Sequence, residues 1–429
     1  MGEKMKEIET KTYVFMTAIS NCVTGGLIYP RNKILYLKNC GWEIVVFPTN
    51  NGPVYINGLE EYRSSKYEFL TFNPYLLSKS QINKCLDKME SKINHNGEII
   101  IQTGTDFTSY WGELLAERLK CKHFVFFLDE YNQKINKYNA EFFKFKYDRG
   151  ELNCITDSAL NNIFGNYFDV TINPYPFKAY CSNCIENIES GLIKNLQDIK
   201  RDWCIGTIGR LDKNVVIEVI NSVQTLATKN PDKQILLIFF GGGTKKDENR
   251  IVSALEKYSN ISVYISGYIF PIPLNCIKEC EVFVSAAGSA NATVLVGIPT
   301  IQIDMYNNLA LGFKLNGDKK KYYKINNYTT YDYLEWFFEY KNREKLSIEK
   351  KEIEQIWNSF CSEYAKQVEY VENLKNENIY FRTDNIKKTH KEIPRSIICK
   401  VMGLRFSFQI KRVYSNVKIY ISNFISNKK

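Results

Sequence analysis

At 429 residues the chain is too long for one ordinary hydrophobic core and calls for two domains of roughly 150–200 residues plus a tail. With 44% hydrophobic and 24% charged residues, 29 Tyr and 26 Phe, the bulk is not disordered, and 12 cysteines scattered without a framework exclude a disulfide scaffold. The net charge of +10 is local: residues 387–429 hold 11 Lys/Arg against the single acid Glu392, and removing these from the chain's 57 basic and 47 acidic residues leaves 46 of each, so a nucleic-acid-binding body is excluded.

The opening MGEKMKEIETK leads into a strand-like run without a secretory apolar region or cleavage site, and no run of about 18 apolar residues follows, so a cytoplasmic protein with reduced thiols is expected. Strands then alternate with helix-length segments, the pattern of parallel, helix-covered sheets. TYVFMTAI (12–19) is followed by the loop SNCVTGG, a helix near 27–39 and WEIVVFPT (42–49). EIIIQT (98–103), a loop GTDFTSYWG, a helix over 113–120 and HFVFFLDE (123–130) form a second unit, and LNCIT (152–156) and YFDVTINPYPF (167–177) complete this half. Asn173-Pro-Tyr-Pro176 cannot continue a helix and predicts the domain boundary, giving a first domain at 1–176.

The second set reads WCIGTIG (203–209), a helix over 214–228, QILLIFFGGG (234–243), a helix over 246–258, ISVYISG (261–267), a helix over 272–280, EVFVSAAGS (281–289), a helix over 290–296 and PTIQID (299–304). Trp336, Phe337, Ile353, Trp357 and Tyr364 fall at helical spacing, so 177–380 is expected to be the second domain with packing helices, and 381–429 the tail. Ligands of such sheets bind beyond the carboxyl ends of the strands. Three strand ends there have the residues for an anion. VSAAGSANATVLVGIPTIQID (284–304) ends a strand in a small-residue turn, Gly288-Ser289-Ala290, where free amides and the positive end of a helix dipole meet. IGTIGRLDKN (205–214) sets Arg210 and Lys213 past another strand, a planar donor fork and a point charge for a diphosphate. FFGGGTKKDENR (239–250) sets Gly242 before Lys245 and Lys246, which as surface lysines read as solvated. The run lacks GxGxxG and a following Lys-Ser/Thr, which removes support for dinucleotide oxidoreductases and P-loop enzymes.

For acid–base work the chain offers only His95, His123 and His390, of which His123 opens a strand, at the wrong end for a cleft. Asp129 and Glu130 close HFVFFLDE, and Asp106 lies in the loop after EIIIQT, where a carboxylate can act on an acceptor hydroxyl; helix capping is the alternative role. Cys181, Cys184, Cys276 and Cys280 are too loosely spaced for a zinc site. In the tail Ile397, Val401, Leu404 and Phe408, then Ile410, Val413, Val417, Tyr420 and Phe424, recur at helical spacing with Arg395, Lys400, Arg405, Lys411, Arg412 and Lys418 between them. A basic amphipathic helix of this kind lies on an anionic membrane surface, or packs across the domains.

Over 200–310 the ordered motifs GRLDKN, IFFGGG, ISGYI and VSAAGS with GIPTI resemble the group 1 (family 4) glycosyltransferases, and Gly25-Gly26 followed by a helix and GWEIVVF is similar to their N-terminal glycine loop. The resemblance implies an α/β protein of GT-B type: two Rossmann-like domains facing across a cleft. Arg210 and Lys213 would hold the diphosphate of a nucleotide-sugar donor, UDP or GDP linked. The Tyr268 and Ile269 backbone would lie near the base, Gly242 on the Gly-rich strand end, and the Gly288, Ser289 and Ala290 amides on phosphate or sugar, with Gly25 and Gly26 opposite. No metal or other cofactor is implied, since Arg, Lys and helix termini replace the cation. The implied reaction is sugar transfer to a lipid-linked or saccharide acceptor at the inner membrane face, in surface polysaccharide or glycolipid synthesis. Rival readings are a GT-B-shaped nucleotide-sugar epimerase and a non-catalytic subunit that anchors a partner. The family's paired donor-loop glutamates are absent, position 292 being Ala and 284–297 containing no acid.

Overall fold

The computed structural model describes residues 10–129, 135–171, 177, 184–317, 321–339, 342–375, 377–404, 406–407 and 409. Its first half contains β1 (Thr12–Thr17), α1 (Gly25–Asn39), β2 (Glu43–Pro48), α2 (Lys79–Glu90), β3 (Ile99–Thr103), α3 (Asp106–Leu119), β4 (Lys122–Phe127), α4 (Ala140–Asp148), β5 (Leu152–Cys154) and α5 (Asp157–Phe164). The five strands form one parallel sheet in the order β2-β1-β3-β4-β5. Helices cover both faces, which is why TYVFMT and IIIQT are near-continuous apolar runs rather than alternating ones.

The second half contains β6 (Ile185–Glu186), α6 (Leu192–Gln197), β7 (Trp203–Ile208), α7 (Asn214–Lys229), β8 (Ile235–Phe240), α8 (Lys245–Leu255), β9 (Ile261–Ile265), β10 (Ile272–Pro273), α9 (Leu274–Ile277), β11 (Val282–Ala286), α10 (Ala287–Leu295), β12 (Thr300–Ile303), β13 (Ala310–Lys314), β14 (Tyr322–Tyr323), α11 (Thr330–Glu339) and α12 (Ile353–Asn373). Its seven-stranded sheet runs β14-β13-β12-β11-β7-β8-β9, parallel except that β13 runs antiparallel to both β12 and the edge strand β14. β6 and β10 pair separately.

Helix α12 leaves the second sheet and returns to the first domain, where Phe360, Tyr364, Val368 and Val371 pack with Tyr29 and Leu37 of α1. The fully buried Lys33 secures this junction, donating to Gln367 Oε1 (2.5 Å), Tyr13 OH (2.7 Å) and Gln102 Oε1 (2.7 Å). Burial pulls its ammonium pKa well below the usual value, because charge is poorly solvated there. The chain then continues across the first domain: Tyr380 OH donates to Cys121 O (3.2 Å), Phe381 N to Glu113 Oε1 (2.8 Å), and a helix at 392–404 follows.

Several local expectations change. Thr105 accepts from the Thr108 amide (3.3 Å), so the stretch expected as a loop after β3 is helical from Asp106. The helix expected over 272–280 is a short strand and one helical turn, because Ile272 precedes Pro273 and the residue before a proline is pushed into extended conformation. Residues 167–171 are irregular, with Phe168 packed on Phe164; Asn173–Pro176, Glu130 and the tail beyond Gln409 lie outside the described residues. The antiparallel β13 was not expected: it follows a turn at 305–309 rather than a helix.

Candidate active site

Chain order reverses at one point in each sheet: after β2 the first crosses from one flank of β1 to the other at β3, and after β9 the second crosses β7 to β11. Ligands of open α/β sheets sit in the crevice at such points. The loops leaving β7 and β11 carry Arg210 and Gly288, and they emerge from the same end of neighbouring strands, tied by the Ile208 amide donating to Ser285 Oγ (3.2 Å).

The helix N-termini differ in capping; α4, α6 and α9 have no side-chain cap, and α4 carries Glu141 in its first turn. Thr105 on α3, Thr156 on α5 and Thr244 on α8 cap their own helices with side-chain hydroxyls. The helices that follow β1, β7 and β11, namely α1, α7 and α10, have no side-chain cap and no acid in their first turns. No capping side chain or first-turn carboxylate therefore neutralises the positive end of their dipoles. Gly25 and Gly26 belong to the first turn of α1 itself, and Pro30, lacking an amide proton, leaves the Gly26 carbonyl without its helical donor. Ala287 begins α10 at φ +44°, a left-handed conformation that costs an alanine roughly 1–2 kcal/mol and that clusters at ligand sites. Gly288 and Ser289 are partly exposed there, whereas Ala290 is buried.

Arg210 is partly exposed and holds both oxygens of Asp212, with Nε and Nη2 each at 3.1 Å. Lys213 is the exposed N-cap residue of α7, its amide donating to Arg210 O (3.3 Å). The strand ends pack without room for side chains: a Cβ on Gly241 would lie 1.8 Å from Gly209 O, and one on Gly242 would lie 2.6 Å from the Tyr268 ring. Gly242 is therefore the floor under Tyr268. Ile269 packs inward against the second-domain core.

The first domain meets this surface through residues that no sequence motif marks. Tyr55, in the NNGPVY turn after β2, lies against Tyr268 with the rings tilted and 4.8 Å between centroids. Burial raises the Tyr268 phenol above its usual pKa, and Cys22, Arg210 and Asp212 are its charged or ionisable neighbours, so the loop entering α1 and the Arg210 turn share one basin. That loop is held by the Asn21 amide donating to Pro53 O (2.7 Å), the Gly52 amide to Ser20 Oγ (2.9 Å) and the Ile19 amide to Asn50 Oδ1 (3.0 Å). Deeper in the junction Arg31 lies over the Phe270 ring (5.2 Å) and pairs with Glu186 (3.2 Å). The only advance signal for Tyr55 was a Gly-Pro turn at the carboxyl end of a strand.

The two carboxylate candidates separate. Asp129 is exposed just beyond β4, at the carboxyl edge. Asp106 is 8% exposed and lies beside Tyr75 and Tyr110, whose phenols it helps to raise. His123 is buried in a fixed network: Nδ1 to Glu113 Oε2 (2.8 Å), Nε2 to Thr103 Oγ1 (2.9 Å), with Lys146 Nζ on the same carboxylate (2.9 Å). Cys184 Sγ accepts from Asn32 Nδ2 (3.2 Å), Cys280 lies 3.8 Å from Cys204, and Cys181 is outside the described residues. A separate, mostly apolar cavity of about 410 Å³ lies toward the carboxyl end of α10, between Leu35, Ile185, Leu295 and Trp357. Its lining is mostly apolar and includes the acids Glu186 and Glu354, which disfavour phosphate there.

No protein-family model matches the chain, and no curated protein sequence matches it. Solved structures do. A glycosyltransferase from Rickettsia africae superposes with a TM-score of 0.58 at 12% identity, over 85% of this chain and 98% of its own. HepE from Anabaena, in complex with UDP and glucose, superposes with a TM-score of 0.50 at 8% identity, over 85% of this chain and 100% of its own. The chain therefore has the GT-B fold, with two Rossmann-like domains facing one another across a cleft.

Proposed function

We propose that the chain is a glycosyltransferase that moves a sugar from a nucleoside-diphosphate sugar, UDP or GDP linked, onto a lipid-linked or saccharide acceptor. The observation that carries the reading is the convergence, at the β7/β11 crossover, of the Arg210 fork with the uncapped N-termini of α7 and α10, opposite the uncapped N-terminus of α1. Charge grows on the diphosphate as its bond to the sugar breaks, and fixed donors already aimed at it stabilise that state without reorganisation. Arg210, Lys213 and the amides of Gly288 and Ser289 take this role, and the Tyr268–Ile269 backbone meets the base. Asp129 accepts the proton of the acceptor hydroxyl. The two fold neighbours, one a glycosyltransferase and the other holding UDP and glucose, support a nucleotide sugar as the ligand.

A second reading is favoured by one observation: the stretch 284–297 contains no acid, so the chain lacks the carboxylates that would fix the donor's hydroxyls. In that reading the protein binds nucleotide without turnover and serves a partner. A thermal-shift panel of UDP, GDP and their sugars tests both. Ligand at about 100 times its dissociation constant adds ~2.7 kcal/mol to stability. A shift that disappears in Arg210→Ala, together with sugar transfer to an acceptor mixture, supports the transferase. A shift without transfer supports the subunit, interconversion of the nucleotide sugar alone assigns an epimerase, and silence across the panel removes the nucleotide site.

A further inference from the structure

The helix at 392–404 turns most of its large apolar side chains away from the core. A surface helix ordinarily turns its apolar stripe to the core. Here the inward face is narrow: Ser396, Cys399 and Leu404, with Cys399 and Leu404 packed on the first-domain core, and Ser396 Oγ donates to Leu76 O (3.1 Å) while Gln81 Nε2 donates to Cys399 O (2.8 Å). The small side chains of Ser396 and Cys399 let the helix lie close on the first domain. The outward face carries Ile393, Ile397, Ile398, Val401 and Met402, with Val401 79% and Ile397 59% exposed. A contiguous exposed apolar face rimmed by polar residues marks an interaction surface.

Along 387–404 the exposed charges are all basic. Lys387, Lys391, Arg395 and Lys400 are exposed. The acid in this stretch, Glu392, is turned inward, accepting from the Thr389 amide (2.8 Å), Thr389 Oγ1 (2.9 Å) and Tyr75 OH (2.8 Å). We propose that this face docks the first domain on an anionic lipid bilayer, Ile397, Val401 and Met402 entering the headgroup boundary and the flanking cations meeting lipid phosphates. Charge argues against the other occupants. A second copy would oppose two basic faces across a twofold axis, and residues 410–429 carry Lys411, Arg412 and Lys418 with no acid to pair with them. The proposal deepens the acceptor side of the functional reading above and takes its catalytic meaning from it, since a lipid-linked acceptor would then be presented to the domain that is anchored.

Full-length protein is floated with vesicles of pure phosphatidylcholine and of phosphatidylcholine with phosphatidylglycerol, and run on gel filtration. The wild type is expected to float with the anionic vesicles only. Ile397→Ser/Val401→Ser and Arg395→Glu/Lys400→Glu, all exposed positions, should each weaken binding about tenfold or more. Nucleotide thermal shifts on the same variants keep the two readings apart: lost flotation with an intact UDP or GDP shift confirms docking through this face, and intact flotation with nucleotide silence overturns sugar transfer alone. Docking is overturned if the wild type stays with the buffer, if the double variants float like the wild type, or if the protein is a dimer that Ile397→Ser/Val401→Ser dissociates.

Discussion

Tyr55 of the first domain and Tyr268 of the second meet across the cleft, ring centroids 4.8 Å apart and tilted at an interplanar angle of 36°, with the Tyr268 ring seated on Gly242. At this point the cleft is closed by a replaceable aromatic contact, whereas deeper in the junction Arg31–Glu186 and Asn32–Cys184 join the halves through polar contacts. Any ligand entering between the domains competes with one tyrosine for the face of the other.

Gly242→Ala puts a methyl 2.6 Å from the Tyr268 ring and forces the ring off its seat. Overpacking of this kind costs about 1–3 kcal/mol, which for domains of this size is a loss of roughly 2–4 °C in Tm per kcal/mol. Because the methyl acts through Tyr268, Gly242→Ala/Tyr268→Ala should be no less stable than Tyr268→Ala. A double-mutant cycle by thermal unfolding checks this, and additive losses would show that the alanine clashes elsewhere.

Asp212 occupies two nitrogens of the Arg210 fork. A diphosphate must share or displace that carboxylate, so Asp212→Asn should tighten binding of UDP or GDP. The pair is partly exposed, and such pairs hold at most ~1 kcal/mol, so calorimetry should give a two- to fivefold lower Kd at low salt, on the order of that energy. Weaker binding in the variant would mean that Asp212 aims the guanidinium rather than occupying it.

Asp129→Asn is expected to lower kcat by about 100-fold or more with Tm unchanged, since general base catalysis contributes ~10²–10⁴ and the side chain is exposed. Asp106→Asn should act in the opposite way. Asp106 sits buried at the start of α3 beside Tyr75 and Tyr110, so its loss lowers Tm and leaves the kcat of the folded fraction near wild type. Turnover assays beside unfolding curves separate the two, and unchanged kcat in Asp129→Asn removes that residue from the mechanism.

Much of the fold was legible because parallel strands buried on both faces write themselves as unbroken apolar runs: TYVFMT, IIIQT, HFVFF, ILLIFF and EVFV each mark a strand. The order of the strands was not legible, and it is the order that brings the Arg210 turn beside the Gly288 turn. Tyr55, Cys22 and Arg31 were invisible for a related reason: each acts across the junction, and no local pattern registers a partner some 155–215 residues away, as with Arg31–Glu186 and Tyr55–Tyr268. The return of α12 was equally hidden. Its apolar spacing predicts a buried face but not that Tyr364 packs on Tyr29 and Tyr36 of the other domain.

The Glu113–His123–Lys146 cluster makes stability depend on acid. Burial, followed by the Lys146 charge, lowers His123 to about 4 from its ordinary 6.5, although the Glu113 hydrogen bond opposes this. Burial raises Glu113, but Lys146 and His123 outweigh it and bring the carboxyl down to about 2 from 4.5. Both groups are depressed in the folded protein, so the unfolded chain binds protons that the folded chain refuses. Stability is therefore full above pH 6.5 and falls as the pH drops toward 4 through His123, then further between 4.5 and 2 through Glu113. The first window is worth on the order of 2–3 kcal/mol at about 1.4 kcal/mol per pKa unit. Urea unfolding at pH 7 and pH 4.5 should show this loss in the wild type and a smaller loss in His123→Gln, which starts less stable but carries no imidazole to protonate. Equal losses in both proteins would place the acid sensitivity outside this cluster.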